Sequence, residues 1–252
     1  MIVLKTSREL ELMRRAGELS AQALMAGVRA AQPGKTTLDI DRVVHDYIVS
    51  QGGKPSCLGY NGFPASTCVS INEEVIHGIP SRERVIREGD LVSIDVGAIL
   101  GGYQGDNAFT VAAGAASAEN AKLLEVTQKS LELAIAQAVP GNHLRDIGAA
   151  VENYVSGFGY GIVREYVGHG IGTEMHEDPE VPNYATPRRG PRLLAGMTLA
   201  IEPMITLRGD EVKTLSNGWT VVTESGLPAA HFEHTVAITD NGPVILTPRD
   251  FG

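Results

Sequence analysis

Two stretches of this chain, 107 residues apart, carry nearly the same pattern, and each ends in a carboxylate. The first runs Gly89-Asp90-Leu91-Val92-Ser93-Ile94-Asp95, and the second Gly196-Met197-Thr198-Leu199-Ala200-Ile201-Glu202. The same offset pairs Pro33-Gly34 with Pro140-Gly141, Asp39-Ile40 with Asp146-Ile147, Val44 with Val151 and Tyr47 with Tyr154. One constant offset across helix-like and strand-like segments points to a duplicated fold with two related halves. Duplication sets Asp95 and Glu202 at equivalent places around a pseudo-twofold axis. Two acids facing each other there repel unless a cation lies between them, and a bound metal is the simplest candidate.

The chain's 252 residues suffice for a large core, and no linker or low-complexity segment divides them. A single domain over residues 1–252 is expected, built of halves at roughly 1–112 and 113–252. The formal charge of -9 argues against a general nucleic-acid binder. No run of eighteen apolar residues suggests a membrane span, and Met1 to Arg15 reaches charged residues too early for a secretory signal. Two cysteines, Cys57 and Cys68, are too few for a disulfide scaffold and fit a cytoplasmic protein.

Thr6-Ser7-Arg8-Glu9 fits a capping box, and the apolar stripe from Leu10 to Met25 predicts a helix ending near Pro33-Gly34. Further helices are expected over Leu38–Ser50, Ala118–Ala138 and Leu144–Ser156. Strands are expected at Ser66–Ile71, Leu91–Leu100, Gln104–Ala112, Thr198–Ile205, Trp219–Thr223 and Glu233–Ile238, with a loop over residues 54–65. The order predicts an α+β fold, a curved antiparallel sheet flanked by helices.

If Gly101-Gly102 is a two-residue turn, residues whose numbers sum to 203 face each other across a hairpin, and Asp95 opposes Ala108. Asp106 then projects from the same face as Asp95, a diagonal neighbour with Cβ atoms under ~7–8 Å apart. Singly, Asp106 reads as a turn aspartate, Glu202 as a strand end and Glu233 as a solvated acid. Together they weigh otherwise. Asp95 and Glu202 end apolar runs, no lysine or arginine adjoins them on these strands, and buried acids need partners. His169, between glycines in Gly168-His169-Gly170-Ile171-Gly172, is a candidate nitrogen ligand, since glycine permits close approach of the backbone to a site. His77 and His176 lie in similar contexts, whereas His45 and His143 read as surface. Four carboxylates and one imidazole suit hard or borderline divalent ions, and paired ions of that kind serve hydrolysis.

The ordered motifs Ser93-Ile94-Asp95-Val96-Gly97, Gly105-Asp106, Gly168-His169-Gly170-Ile171-Gly172, Ile201-Glu202-Pro203 and Glu233-His234-Thr235 closely resemble those of the methionine aminopeptidases. The resemblance spans nearly the whole chain and implies a "pita-bread" fold. It implies two divalent metal ions, drawn from Co, Mn, Fe, Zn or Ni. Asp95 would chelate one ion, Asp106 and Glu233 would bridge both, and His169 and Glu202 would complete the second. Glu202 would also accept a proton from the attacking water. His77 and His176 would hydrogen-bond the scissile amide and its tetrahedral intermediate. Cys57, Tyr60, Phe63, Cys68 and Trp219 resemble the lining of a methionine side-chain pocket, and His77 and His176 would bind substrate beside them. The implied substrates are nascent polypeptide N-termini at the ribosome with a small second residue, and the implied form is a monomer. The 30 residues between Glu202 and Glu233 leave no room for the helical insertion of type II enzymes, so the resemblance is to the short bacterial type I form. Two residues depart from the pattern: His231 stands where glutamine is usual, and Met175 where phenylalanine is common. Prolyl peptidases share the fold but carry a separate N-terminal domain, and a metal-free binding module would be expected to have lost ligands.

Overall fold

The computed structural model describes residues 1–249. Helix α1, Ser7–Ala30, opens on the expected capping box: the Thr6 hydroxyl accepts the Glu9 N–H, and the Glu9 carboxylate takes the Thr6 N–H at 2.7 Å. Its buried stripe includes Met13, Ala16, Gly17, Ser20 and Leu24. Gly17 has to be glycine, because a Cβ there would stand 2.2 Å from the Leu246 carbonyl oxygen. Opposite it, a Cβ on Gly105 would meet the Gly17 backbone at 2.5 Å. The pair lets α1 lie directly on the strand Tyr103–Ala112.

Helix α2 covers Thr37–Ser50, α3 covers Ala118–Ala136 and α4 covers Leu144–Val155. The repeat reappears in the hydrogen bonds that seat these helices. The Gly34 N–H reaches the Ile86 carbonyl at 2.9 Å, and the Gly141 N–H reaches Leu193 at 3.0 Å. Thr37 bonds Arg84 at 3.0 Å, and Leu144 bonds Pro191 at 2.9 Å. Isolated bridges Thr36 to Val85 and His143 to Arg192 complete the match. Asp39 and Asp146 each cap their helix by accepting the N-cap N–H at 2.8 Å. Gly34 and Gly141 take positive φ, 87° and 98°, which explains the repeated Pro-Gly pair. Each half has its own core. Val44, Ile40 and Ile94 belong to the first, Val151, Ile147 and Ile201 to the second, and Phe109 packs against both.

The hairpin pairs Leu91–Leu100 with Tyr103–Ala112 in the expected register, Asp95 opposite Ala108 and Gly97 opposite Asp106. The strands do not form one continuous sheet. Among the described residues they hydrogen-bond as four short sheets of three to five strands. The expected strand Thr198–Ile205 is two strands, Thr198–Ile201 and Met204–Thr206, which belong to different sheets. Pro203 lacks the N–H that would carry the ladder across. Similarly Ala229–His231 and His234–Thr239 are separated by Phe232 and Glu233. Trp219 and Thr220 lie in a turn before the strand Val221–Thr223.

Candidate metal centre and substrate pocket

The two gaps in the strands place two of the acids. Ile201 pairs with His234, so Glu202 and Glu233 leave their strands side by side. Asp95 and Asp106 come from the hairpin, and the Glu233 N–H donates to the Ala108 carbonyl at 2.9 Å, joining the halves. His169 sits on the short strand Gly168–Gly170 rather than in a loop, paired with Ala200 on one side and Glu180 on the other. Its glycines are there for space. A Cβ at Gly168 would stand 2.3 Å from the Ala200 oxygen, and one at Gly170 2.1 Å from the Asp178 oxygen.

Ligand atoms of Asp106, His169 and Glu233 lie within 4.8 Å of one another, and all three residues are buried. His169 Nε2 is 3.9 Å from Asp106 Oδ2 and 3.6 Å from Glu202 Oε1. The Gly170 carbonyl lies 2.9 Å from His169 Nδ1 and can only accept, so the proton sits on Nδ1 and Nε2 turns a lone pair toward the acids. Asp95 Oδ1, Asp106 Oδ1 and Glu233 Oε1 are buried without a hydrogen-bond partner. Among the described residues, no lysine or arginine lines their cavity. Burial pushes the Asp95 carboxyl up to about 6 and that of Glu202 up to about 8. Burial and then repulsion from neighbouring acids raise Asp106 and Glu233 as well. Burial, reinforced by His176, lowers His169 to about 3, so it stays neutral. Buried acids deprived of hydrogen bonds beside a neutral imidazole form an oxygen-rich set with a need for positive charge. The set fits divalent cations.

The same cavity, about 310 Å³, is lined by all twelve residues singled out from the sequence, joined by Asn61 and Met175. Its apolar end is a cluster of Cys57, Phe63, Ala65, Cys68 and Met175, with Tyr60 and Trp219 against it. Phe63 meets Trp219 edge to face at 5.1 Å between centroids. His176 lies against His169, 4.1 Å between centroids, and its Nδ1 is 2.7 Å from the Tyr60 hydroxyl. If that hydroxyl donates, the His176 proton sits on Nε2. His77 holds the left-handed region at φ 58°, an uncommon place for a non-glycine residue, and stands edge-on to Tyr166 and Trp219. Burial lowers it to about 4. His45 and His143 are half-buried rather than surface residues: His45 Nδ1 is 2.8 Å from the Ser66 hydroxyl, and His143 is the N-cap of α4.

Residues that hold the site escaped the sequence reading. The Thr235 hydroxyl clasps the backbone of Asp106, and the Thr110 hydroxyl clasps that of His231. Arg249, stacked over Phe109, donates to the carbonyls of Ala108 and Glu233 from behind the acids. Only Thr235 carried a signal, as the last residue of the Glu233-His234-Thr235 motif.

A buried acid–imidazole cluster opening onto an apolar pocket defines a metallopeptidase, and the profile of metallopeptidase family M24 matches residues 11–240. A methionine aminopeptidase of Clostridium acetobutylicum is 58% identical over 98% of this chain and 99% of its own length. The crystal structure of a methionine aminopeptidase from Thermotoga maritima superposes with a TM-score of 0.96 at 45% identity, over 99% of this chain and 100% of that one. The chain belongs to the methionine aminopeptidases of family M24. A prolidase from Pyrococcus furiosus shares the fold at a TM-score of 0.77 and 25% identity, but the match covers only 66% of that chain.

Proposed function

We infer that this chain removes the N-terminal methionine from peptides and nascent chains whose second residue is small. One observation carries the reading: the acid cluster and a thioether-sized apolar pocket open into one cavity, which two further imidazoles also line. The pocket's sulfur atoms and ring edges match a methionine side chain.

Two divalent ions are proposed for the acid cluster, drawn from Co, Mn, Fe, Zn or Ni. Asp95 would hold one, Asp106 and Glu233 both, and His169 with Glu202 the other. When bound, they polarise the scissile carbonyl and acidify a water. Glu202, one carboxylate oxygen of which faces the other acids, is placed to take the proton of the attacking water. His176, with Nδ1 against the Tyr60 hydroxyl, is free to donate from Nε2 to oxygen developing negative charge. His77 offers the same kind of donor from the other wall. The two halves act as one catalytic unit, because ligands come from both. Among the described residues no helix is long and apolar enough to cross a membrane. A monomer in the cytoplasm, meeting chains as they leave the ribosome, completes the proposal.

The test is a chelator-treated preparation restored with Mn, Co or Fe and assayed on a Met-Ala-Ser peptide, beside Glu202→Gln. Activity is expected to vanish on demetallation and return with metal. The variant, folded and of equal volume, is expected to lose on the order of 10²-fold or more in rate. Full activity in thoroughly demetallated protein, or a wild-type kcat in the variant, overturns the reading.

A further inference from the structure

Glu202 stands between two imidazoles. Its Oε1 is 3.6 Å from His169 Nε2, and its Oε2 is 3.3 Å from His231 Nε2. His169 belongs to the proposed ligand set. His231 does not line the cavity, and its side chain is 2% exposed. Its Nε2 is buried and makes no in-line hydrogen bond among the described residues, yet the Glu202 oxygen is within reach of a small rotation.

The backbone of His231 is clasped from both halves. Its N–H donates to the Thr110 hydroxyl at 2.8 Å, and the same hydroxyl donates to its carbonyl at 2.8 Å. Ser93 Oγ lies 2.8 Å from Thr110 Oγ1 and ties the clasp to the strand that bears Asp95. On its other side, His231 pairs with Met204, two residues beyond Glu202. The residue is thus mounted on both halves, with its imidazole Nε2 3.3 Å from one oxygen of Glu202.

We propose that His231 is a positioning residue for Glu202: its Nε2–H holds Oε2 and leaves Oε1 turned toward His169 and the other acids. The assignment rests on the reading of Glu202 as a metal ligand. A carboxylate with no such partner can present either oxygen and spends time in unproductive rotamers. Groups that orient a ligand in this way affect metal affinity as well as rate. In its neutral form the imidazole carries a single N–H, and the contact requires that hydrogen on Nε2. The amide of glutamine can donate from a similar place, whereas leucine fills the space and donates nothing.

Calorimetric titration of Mn into demetallated wild type, His231→Gln and His231→Leu separates these cases. The leucine variant is expected to bind Mn on the order of 10- to 100-fold more weakly, and the glutamine variant to keep wild-type affinity. Wild-type affinity in folded His231→Leu overturns the assignment alone, and so does equal loss in both variants. Absence of Mn binding by the wild type overturns the metal reading and this assignment with it. A second measurement needs no variant to be metal-competent. Histidine 15N NMR of Zn-loaded wild type, assigned by difference against His231→Gln, is expected to show the Nε2–H tautomer at His231. The Nδ1–H tautomer there overturns the proposal.

Discussion

The Thr235 hydroxyl donates to the Asp106 carbonyl at 2.8 Å and accepts the Asp106 N–H at 3.1 Å. One side chain of the second half thereby satisfies both backbone groups of an acid in the first. Thr110 does the same in the opposite direction for His231. Hydroxyl clasps add to the backbone bonds where the halves meet, so the ligand set depends on how firmly the halves are joined.

Thr235→Val keeps shape but leaves the Asp106 N–H and carbonyl unpaired in a buried site. The loss is expected to be about 1–3 kcal/mol of stability, with weaker metal binding. Thr235→Ser restores the donor and is expected to recover most of both. Denaturant unfolding and metal titration check this, and a valine variant as stable and as tight-binding as wild type would contradict it.

The hairpin register was legible because Gly101-Gly102 and an unbroken ten-residue strand on each side leave only one good pairing. The helices and their caps were legible for a similar reason, being signalled within a few residues. The clasps were not. The Thr235 to Asp106 contact spans 129 positions and leaves no local periodicity. The split at Glu202-Pro203 was readable from the missing N–H of proline, but a continuous apolar pattern masked it. His169 was identified through its glycines, although these serve close strand packing rather than an unusual backbone angle. The candidate residues were found because acids that end apolar runs are conspicuous. The supports around them left less trace: Thr110 and Arg249 act through backbone contacts, and His231 stood out only as a departure from the family pattern.

Metal removal should show itself in the pH dependence of stability. Burial raises Asp95 to about 6 and Glu202 to about 8 in the folded protein, above the values of 3.8 and 4.5 for the free groups. The native state then binds more protons than the unfolded chain, and stability falls as pH rises through that window. His77 and His231 are lowered to about 4 from 6.5, chiefly by burial, which gives the opposite slope, but only below pH 6.5. Above it Glu202, with the raised Asp106 and Glu233, sets the slope. The Tm of demetallated protein is therefore expected to fall from pH 6.5 through about 8, and added Mn to abolish the fall. A flat or rising Tm in the demetallated protein over this range would refute the assignment of strained acids.

His77→Ala and His176→Ala separate hydrogen-bond donors from ligands. Neither imidazole belongs to the tight cluster of Asp106, His169 and Glu233. Metal content is expected to stay normal while kcat falls on the order of 10²-fold, as when one donor to a developing oxyanion is removed. Tyr60→Phe should give a smaller fall, since it frees the His176 ring without deleting it. Loss of metal from His176→Ala would make it a ligand and require a redrawn site.

The choice of second residue follows from crowding at the inner end of the pocket. With methionine placed among Cys57, Phe63, Cys68 and Trp219, its carbonyl would lie toward the acids, and the next residue would pass His77 and His176, which line the same cavity. His176 is already packed on His169, and His77 stands edge-on to Tyr166 and Trp219. A large side chain would have to displace the scissile amide, and a shift of ~1 Å can cost 10²-fold in rate. Peptides Met-X-Ser with X as Gly, Ala, Ser, Cys, Thr, Pro or Val are expected to be cut, and those with Leu, Phe, Lys or Arg to be left. The discriminating measurement is kcat/KM across the series. If Met-Lys or Met-Phe peptides match Met-Ala, the histidine walls do not set the limit. The small-residue rule would then need another origin.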